Sequence, residues 1–405
     1  MKREVAPPAS TGIAQNRLKI REKLNKPLAI AVMIGALAVP AARAASNEES
    51  PVPIERVPEF IIGAQEDTIV NKDEKISQDV AQKLKDLDFN VVKITAPWSY
   101  PRQCAAINDD PARYINAFQA AKDNQLVPVL NLFPGGQGDL GQAPSTPSQQ
   151  TCYRDTLIAY EHVFAEVNPG GHIIFEIPNE PNSETFWRPQ NNSDGEWVAP
   201  KAVSRTLAKS YWAVKKEAQE LGIGVTLIGG ALASGHNAVG FTKAMGEARQ
   251  ELEVKGAIMD GFSIHPYGET NDEPPDVTHP DLTTVGFAEL PSFINSLDDS
   301  FHKPMSVWLT EYGAKTKVPA NKTGLYTIRP NISKDMISEA TQAEFYTKAI
   351  QMARSRSRVD AIILFNVIDD PDGHWTSGLM YPDGSPKSSY SAVHQAIIDA
   401  KSRYN

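Results

Sequence analysis

Eight short apolar runs recur along the chain, and an amphipathic stretch follows each. The runs are Phe60–Gly63, Asn90–Thr95, Leu126–Leu132, His172–Pro178, Gly224–Gly230, Ile258–His265, Pro304–Thr310 and Asp360–Asn366. Most are continuously apolar, as in strands buried on both faces. Between them the apolar residues return every 3.6 positions. Ile76, Val80, Leu84 and Leu87 line one face of the first predicted helix, and Ile115, Phe118 and Ala121 line the second. Further helices are predicted over Thr151–Val167, Lys201–Leu221, Val239–Leu252, Thr284–Phe301, Ile337–Ser355 and Ser388–Ser402. Eight βα pairs predict an α/β fold of the (β/α)8 TIM barrel type, one domain over residues 58–405. A doubly wound sheet would need a phosphate-binding turn after its first strand, and Gly63-Ala-Gln-Glu66 is not one.

The long connections all follow strands: Pro97–Pro111, Pro134–Gln150, Pro181–Pro200, Gly268–Leu282, Tyr312–Met336 and Ile368–Pro386. The connections entering strands are short. That asymmetry predicts an elaborate loop surface at one end of the barrel, as on a catalytic face.

Residues 1–44 have another character. Basic residues run up to Lys26, an apolar stretch covers Leu28–Val39, and Ala42-Arg43-Ala44 follows. These are the parts of a secretory signal, with a polar linker over 45–57. The alternative is an uncleaved N-terminal anchor, although the stretch is shorter than the roughly 20 residues that span a bilayer. Cleavage near Ala44 would release a secreted or cell-envelope protein without an integral membrane domain. The segment holds eight basic and two acidic residues, so the remainder carries −15 against −9 for the whole chain. Such an acidic chain is not expected to bind nucleic acid. The two cysteines, Cys104 and Cys152, predict a disulfide in an exported protein; two unpaired thiols are the alternative. The histidines are scattered without ligand spacing, so neither a metal nor a cofactor is expected. A closed barrel has no free sheet edge, and the expectation is a monomer.

Two glutamates stand at strand ends. Glu180 follows the fourth run in Phe175-Glu-Ile-Pro-Asn-Glu-Pro-Asn182, and Glu311 closes the seventh in Leu309-Thr-Glu-Tyr-Gly313. Carboxylates at the C-terminal ends of barrel strands face the catalytic side and can flank a glycosidic bond. Together with Gly261-Phe-Ser-Ile-His-Pro-Tyr-Gly268, these segments resemble the strand-4, strand-7 and strand-6 signatures of the clan A retaining glycoside hydrolases. Family 39, which includes bacterial exopolysaccharide hydrolases, is the nearest resemblance, with family 5 beside it. The layout covers the whole mature chain, whereas the specific motifs are confined to strand ends.

The resemblance implies Glu180 as acid/base and Glu311 as nucleophile of a secreted retaining β-glycosidase acting on a poly- or oligosaccharide. It implies Asn179 as the contact to a sugar 2-hydroxyl and Tyr267 as the hydroxyl that orients Glu311. His265 would bond a sugar or a catalytic carboxylate. Trp98, Tyr100 and Trp375 are candidate subsite walls, since apolar sugar faces favour flat aromatic surfaces. Asn131 ends strand 3, where relatives often place a sugar-contacting polar group. Two departures stand out: Lys93 occupies a strand-2 position that is commonly Arg, and strand 8 lacks its usual Trp, leaving the place to Asn366 or Trp375. Two other functions use the same residues. A non-catalytic carbohydrate-binding protein would bind a glycan regardless of Glu311, and a transglycosylase would pass the sugar to an acceptor.

Overall fold

The computed structural model describes residues 60–402 apart from 105, 108–109, 136–141, 253–255 and 329–333. The expected signal and linker lie outside the described residues. Strands β1 (Ile61–Gln65), β2 (Val91–Trp98), β3 (Val127–Pro134), β4 (His172–Ile177), β5 (Gly224–Ala233), β6 (Gly261–His265), β7 (Val307–Tyr312) and β8 (Val359–Phe365) close in chain order into a parallel barrel. Helices α1 (Glu74–Asp86), α2 (Pro111–Asp123), α3 (Pro147–Val167), α4 (Ala199–Leu221), α5 (Ala238–Glu251), α6 (Leu290–Phe301), α7 (Glu339–Arg354) and α8 (Tyr390–Ser402) alternate with them. This is the (β/α)8 barrel that the run pattern predicts. No helix among the described residues is long and apolar enough to cross a membrane.

Alternation along each strand divides the core in two. Outward residues such as Ile62, Leu130, Phe175 and Leu309 join the large cluster beneath the helices. Inward residues Ile61, Val91, Val127, Val129, Ile174, Ile228, Trp308, Ala361 and Ile363 form a second cluster that fills the barrel. Local signals set the helix ends. Thr146 and Gln149 make a reciprocal capping box at α3, with Pro147 in its first turn. Gly222 closes α4 in the left-handed conformation.

Three expectations need correction. β2 runs on to Trp98, which was expected in a loop, and α6 starts at Leu290 rather than Thr284. On α1 and α2 the apolar Ile76 and Ile115 face solvent. Ser77 takes the inner place on α1 because its hydroxyl donates to the Ile69 carbonyl, 2.7 Å away.

Two irregularities break the alternation near the strand ends. Between Leu309 and Tyr312, β7 carries two residues opposite the single Ile363 of β8. Between Gly229 and Leu232, β5 carries Gly230 and Ala231 opposite Ser263 of β6. Each is a β-bulge in count. At Gly230 φ is +104°, and a Cβ there would stand 2.7 Å from the Ser263 carbonyl oxygen, so glycine is required.

Cys104, in the connection after β2, is bonded to Cys152 of α3, as expected. The bridge spans 48 residues. On the chain-entropy account it contributes on the order of 4 kcal/mol by restricting the unfolded chain. The paired variant Cys104→Ser/Cys152→Ser is expected to unfold at clearly lower denaturant with the barrel's circular dichroism intact.

Glu161 of α3 is fully buried, and neither carboxylate oxygen has a partner among the described residues. Burial and the nearby Glu217 push its pKa up to about 9, Lys215 opposing. The folded protein therefore holds a proton that the unfolded chain releases above the ordinary carboxylate range. Stability from this group is full at low pH and falls as pH rises from about 4.5 towards 9. Glu161→Gln is expected to flatten that slope and to stabilise the protein by on the order of 2 kcal/mol at alkaline pH, read from denaturant midpoints across the window.

Candidate active site

At the C-terminal ends of the strands a cavity of about 730 Å³ opens among the loops. Its floor follows from the alternation. Two residues above the inward apolar layer, the same faces of β2, β3 and β4 carry Lys93, Asn131 and Glu176, and the ends of β1 and β6 add Gln65 and His265, all buried. A polar layer thus caps an apolar one, and its members must satisfy each other.

Lys93 is the centre of that layer. Its ammonium lies 2.7 Å from Glu176 Oε2 and 3.5 Å from Glu311 Oε2, and it donates to the Thr310 carbonyl at 3.2 Å. Burial works against the charge on Lys93, but Glu176 and Glu311 outweigh it and hold the pKa above the ordinary lysine value. Burial likewise opposes ionisation of Glu176, and Lys93 with His265 brings its pKa below the usual carboxylate value. Asn131 adds a hydrogen bond from Nδ2 to Glu176 Oε2 at 3.2 Å.

Glu180 and Glu311 face each other across the cavity floor. One oxygen of each and one ring nitrogen of His265 lie within 4.8 Å of one another. His265 Nδ1 is 3.0 Å from Glu180 Oε1 and 3.6 Å from Glu311 Oε2. Burial would lower the pKa of His265, and the charges of Glu311 and Glu180 raise it above the ordinary value against Lys93. The Tyr267 hydroxyl donates to Glu311 Oε1 at 3.0 Å. Burial, then Glu311, raises the pKa of Tyr267 well above the ordinary value, so it stays a donor.

Both glutamates depend on irregular backbone. The extra residue in β7 brings Glu311 onto the inner face beside Thr310. Glu180 has φ of +38°, a left-handed conformation uncommon outside glycine. Its amide donates to the Ala231 carbonyl in the β5 bulge at 2.8 Å, and its carbonyl accepts from Ser183 N at 2.9 Å.

Asn179, Glu180, Tyr267, Glu311, Asn131 and Trp375 all line the cavity. The half-buried Trp375 ring packs edge-on against Phe365, and the Lys315 ammonium sits 3.8 Å from its centroid. Four other candidates stand outside the lining. Trp98 is buried against Tyr153 and is no wall of this cavity, because the longer β2 turns it towards α3. Asn366 adopts φ of +67° and turns its side chain towards Asp370, so Phe365 takes the end of β8. Lys93 lies beneath the cavity and outside its lining, its ammonium engaged by Glu176, Glu311 and the Thr310 carbonyl, so it holds carboxylates rather than a ligand. Tyr100 is exposed and also stands outside the lining.

Glu176 went unrecognised, although a lone charge inside the run His172-Ile-Ile-Phe-Glu-Ile was its signal. The lining residues Gln65, Asp67, Phe133, Phe186, Glu269, Glu273 and Lys315 were also missed, and only the fold brings them together. Among the described residues, two groups have donor atoms close enough for a cation: Glu180, His265 and Glu311, and the rim group Glu269, Glu273 and His279. In the first, the Lys93 ammonium already stands 3.5 Å from Glu311, which opposes a second positive charge. In the second, both ring nitrogens of His279 are engaged, by Glu273 at 3.1 Å and Glu289 at 3.3 Å.

Lys93→Met would strand Glu176 as an unpaired buried carboxylate, with an expected loss of about 3–5 kcal/mol in denaturant unfolding. Lys93→Met/Glu176→Leu is expected to recover most of that loss. A single variant as stable as the double would mean that Glu176 is not held ionised.

No protein-family model matches the chain, and no curated protein matches its sequence. Solved structures do match in fold. A family 39 glycoside hydrolase from the gut symbiont Bacteroides cellulosilyticus WH2 aligns over 85% of this chain with TM-score 0.56 and 17% identity. The chain spans 65% of that protein's length. A GH5_18 protein from Streptomyces cattleya, solved in complex with GlcNAc, aligns over 85% of this chain and 81% of its own with TM-score 0.58 and 16% identity. The endo-1,4-beta-mannanase from Rhizomucor miehei aligns over 86% and 97% with TM-score 0.54 and 12% identity. At these identities the likeness is one of fold, and the fold is that of the clan A glycoside hydrolases.

Proposed function

We propose that the protein is an exported retaining β-glycoside hydrolase acting on a poly- or oligosaccharide. The observation that carries this reading is the approach of Glu180 and Glu311 at the mouth of a clan A-like barrel. Retaining enzymes hold their carboxyl groups about 5–5.5 Å apart, whereas inverting enzymes leave about 6.5–9.5 Å for a water. An oxygen–oxygen approach within 4.8 Å supports the shorter arrangement.

In this reading Glu311 attacks the anomeric carbon, and the glycosidic oxygen leaves with the proton of Glu180. A glycosyl ester of Glu311 results. Glu180, now ionised, takes a proton from water, and the water oxygen attacks the same carbon. The ester bond breaks, Glu311 is restored, and the anomeric configuration is retained. Tyr267 fixes the plane of Glu311, and Lys93 keeps that carboxylate company without entering the cavity. His265 holds one oxygen of Glu180. Asn179 is placed to bond the 2-hydroxyl, and Trp375 offers its ring to the apolar face of the sugar.

Export rests on the basic and apolar N-terminal segment and agrees with the Cys104–Cys152 bridge, since disulfides persist in oxidising compartments.

Reducing-end release from a panel of β-linked glycans tests the reading. Glu311→Ala is expected to lose at least about 10³-fold in kcat on whichever glycan the wild type cleaves. Glu180→Gln is expected to lose about 10²–10⁴-fold, and less on an aryl glycoside whose leaving group needs no proton. Binding of a glycan that survives Glu311→Ala, with no release by the wild type, would replace the enzyme reading with that of a binding protein.

A further inference from the structure

The β1–β3 side of the cavity is built almost wholly from hydrogen-bond acceptors. Asn131 has no exposed surface, and its amide nitrogen is committed to Glu176 Oε2 at 3.2 Å and the Glu176 carbonyl at 3.3 Å. That fixes its orientation and leaves Oδ1 without a partner among the described residues. Gln65, 6% exposed, repeats the pattern: Nε2 reaches Asp67 Oδ2 at 3.4 Å, and Oε1 has no partner. Asp67 is held by the Thr95 amide at 2.6 Å and the Thr95 hydroxyl at 2.9 Å, and it lines the cavity beside them. A buried acceptor without a donor is costly. Two such oxygens beside a fixed carboxylate call for a ligand rich in donors.

The charge of the lining points the same way. Glu269 and Glu273 line the β6 side of the cavity, and among the described lining residues the only lysine or arginine is Lys315. Its ammonium lies on the Trp375 ring. Behind Asp67 the crowding continues. Asp370 is pushed up to about 7 by burial and by Asp372, Glu66, Asp369 and Asp67.

We propose that the glycan bound in this cavity is an amino-sugar polymer with free amines, one of which is received by Asp67, Gln65 and Asn131. An ammonium offers three donors and no acceptor, which matches two carbonyl oxygens and a carboxylate. A hydroxyl offers one donor, and N-acetylation removes the charge. A uronate would set acceptors against acceptors. The proposal names the substrate class of the glycosidase reading and rests on it, but its test reads binding alone.

The experiment is a titration of Trp fluorescence with glucosamine, galactosamine, their N-acetyl derivatives, glucose and glucuronate, at a pH where the amines are protonated. One amino sugar is expected to bind about ten- to a hundredfold tighter than its N-acetyl form and than glucose, with glucuronate weakest; that is the effect of one hydrogen bond to a charged group. The margin should shrink in about 0.5 M salt, where screening acts over a few ångströms. It should vanish in Asp67→Asn and narrow in Glu269→Gln, an exposed site that does not endanger folding. Equal binding of amino and N-acetyl sugars, or a margin that Asp67→Asn leaves intact in a folded protein, would overturn the proposal. So would neutral-sugar binding that appears only when Ca²⁺ is added, because a cation would then be the acidic rim's ligand. Amino-sugar binding lost in Asp67→Asn, without cleavage of any glycan, would keep the proposal and remove the glycosidase reading. Cleavage of neutral glycans alone would do the reverse.

Discussion

Lys93 carries the ammonium on which the rest of the mouth depends. Glu176 and Glu311 share it, and Asn131, His265 and Thr310 are arranged around that triad. Without the ammonium between them, two carboxylates in so small a space would repel each other. A lysine supplies that charge as a point on a flexible stem, which rises from β2 between two carboxylates on different strands. The layer beneath is apolar and offers no alternative counter-charge, so the geometry is narrowly determined.

Stability and chemistry meet at the same height in the barrel. The apolar inner layer closes the centre, and on β2, β3 and β4 the next inward residue joins the polar layer beneath the cavity. One dipeptide repeat along a strand therefore separates a packing residue from a site residue: Val91 from Lys93, Val129 from Asn131, Ile174 from Glu176. The loops above supply the walls and the acidic rim. The disulfide anchors one of them, the connection after β2, to α3.

The barrel was legible in the chain because both strand faces are covered, so each strand reads as an unbroken apolar run. The meeting of Glu180, Glu311, His265 and Tyr267 at one end of the barrel was legible because each stands at or just past the end of such a run. Glu176 escaped because it lies inside its run, where the eye expects packing. Trp98 misled for the opposite reason. A tryptophan just past an expected strand end reads as an exposed platform, and three more strand residues were enough to bury it. Ile76 and Ile115 show that helical period alone places a face only to within one position. The acidic lining was out of reach, since Asp67, Glu269 and Glu273 come from loops whose mutual approach no local pattern encodes.

The extra residue in β7 has a consequence for how such a protein can change. Glu311 faces the cavity because three steps on β7 match two on β8. Removing Thr310 would restore strict alternation and move the carboxylate into the place that Thr310 now holds, one residue deeper in the barrel. Tyr312 would keep its outward packing against Phe287 and Tyr346, and the barrel would stay closed. Lys93 would lose the Thr310 carbonyl that accepts from it. The extra residue thus sets the height of the carboxylate along the barrel axis, which the identity of the glutamate alone does not encode.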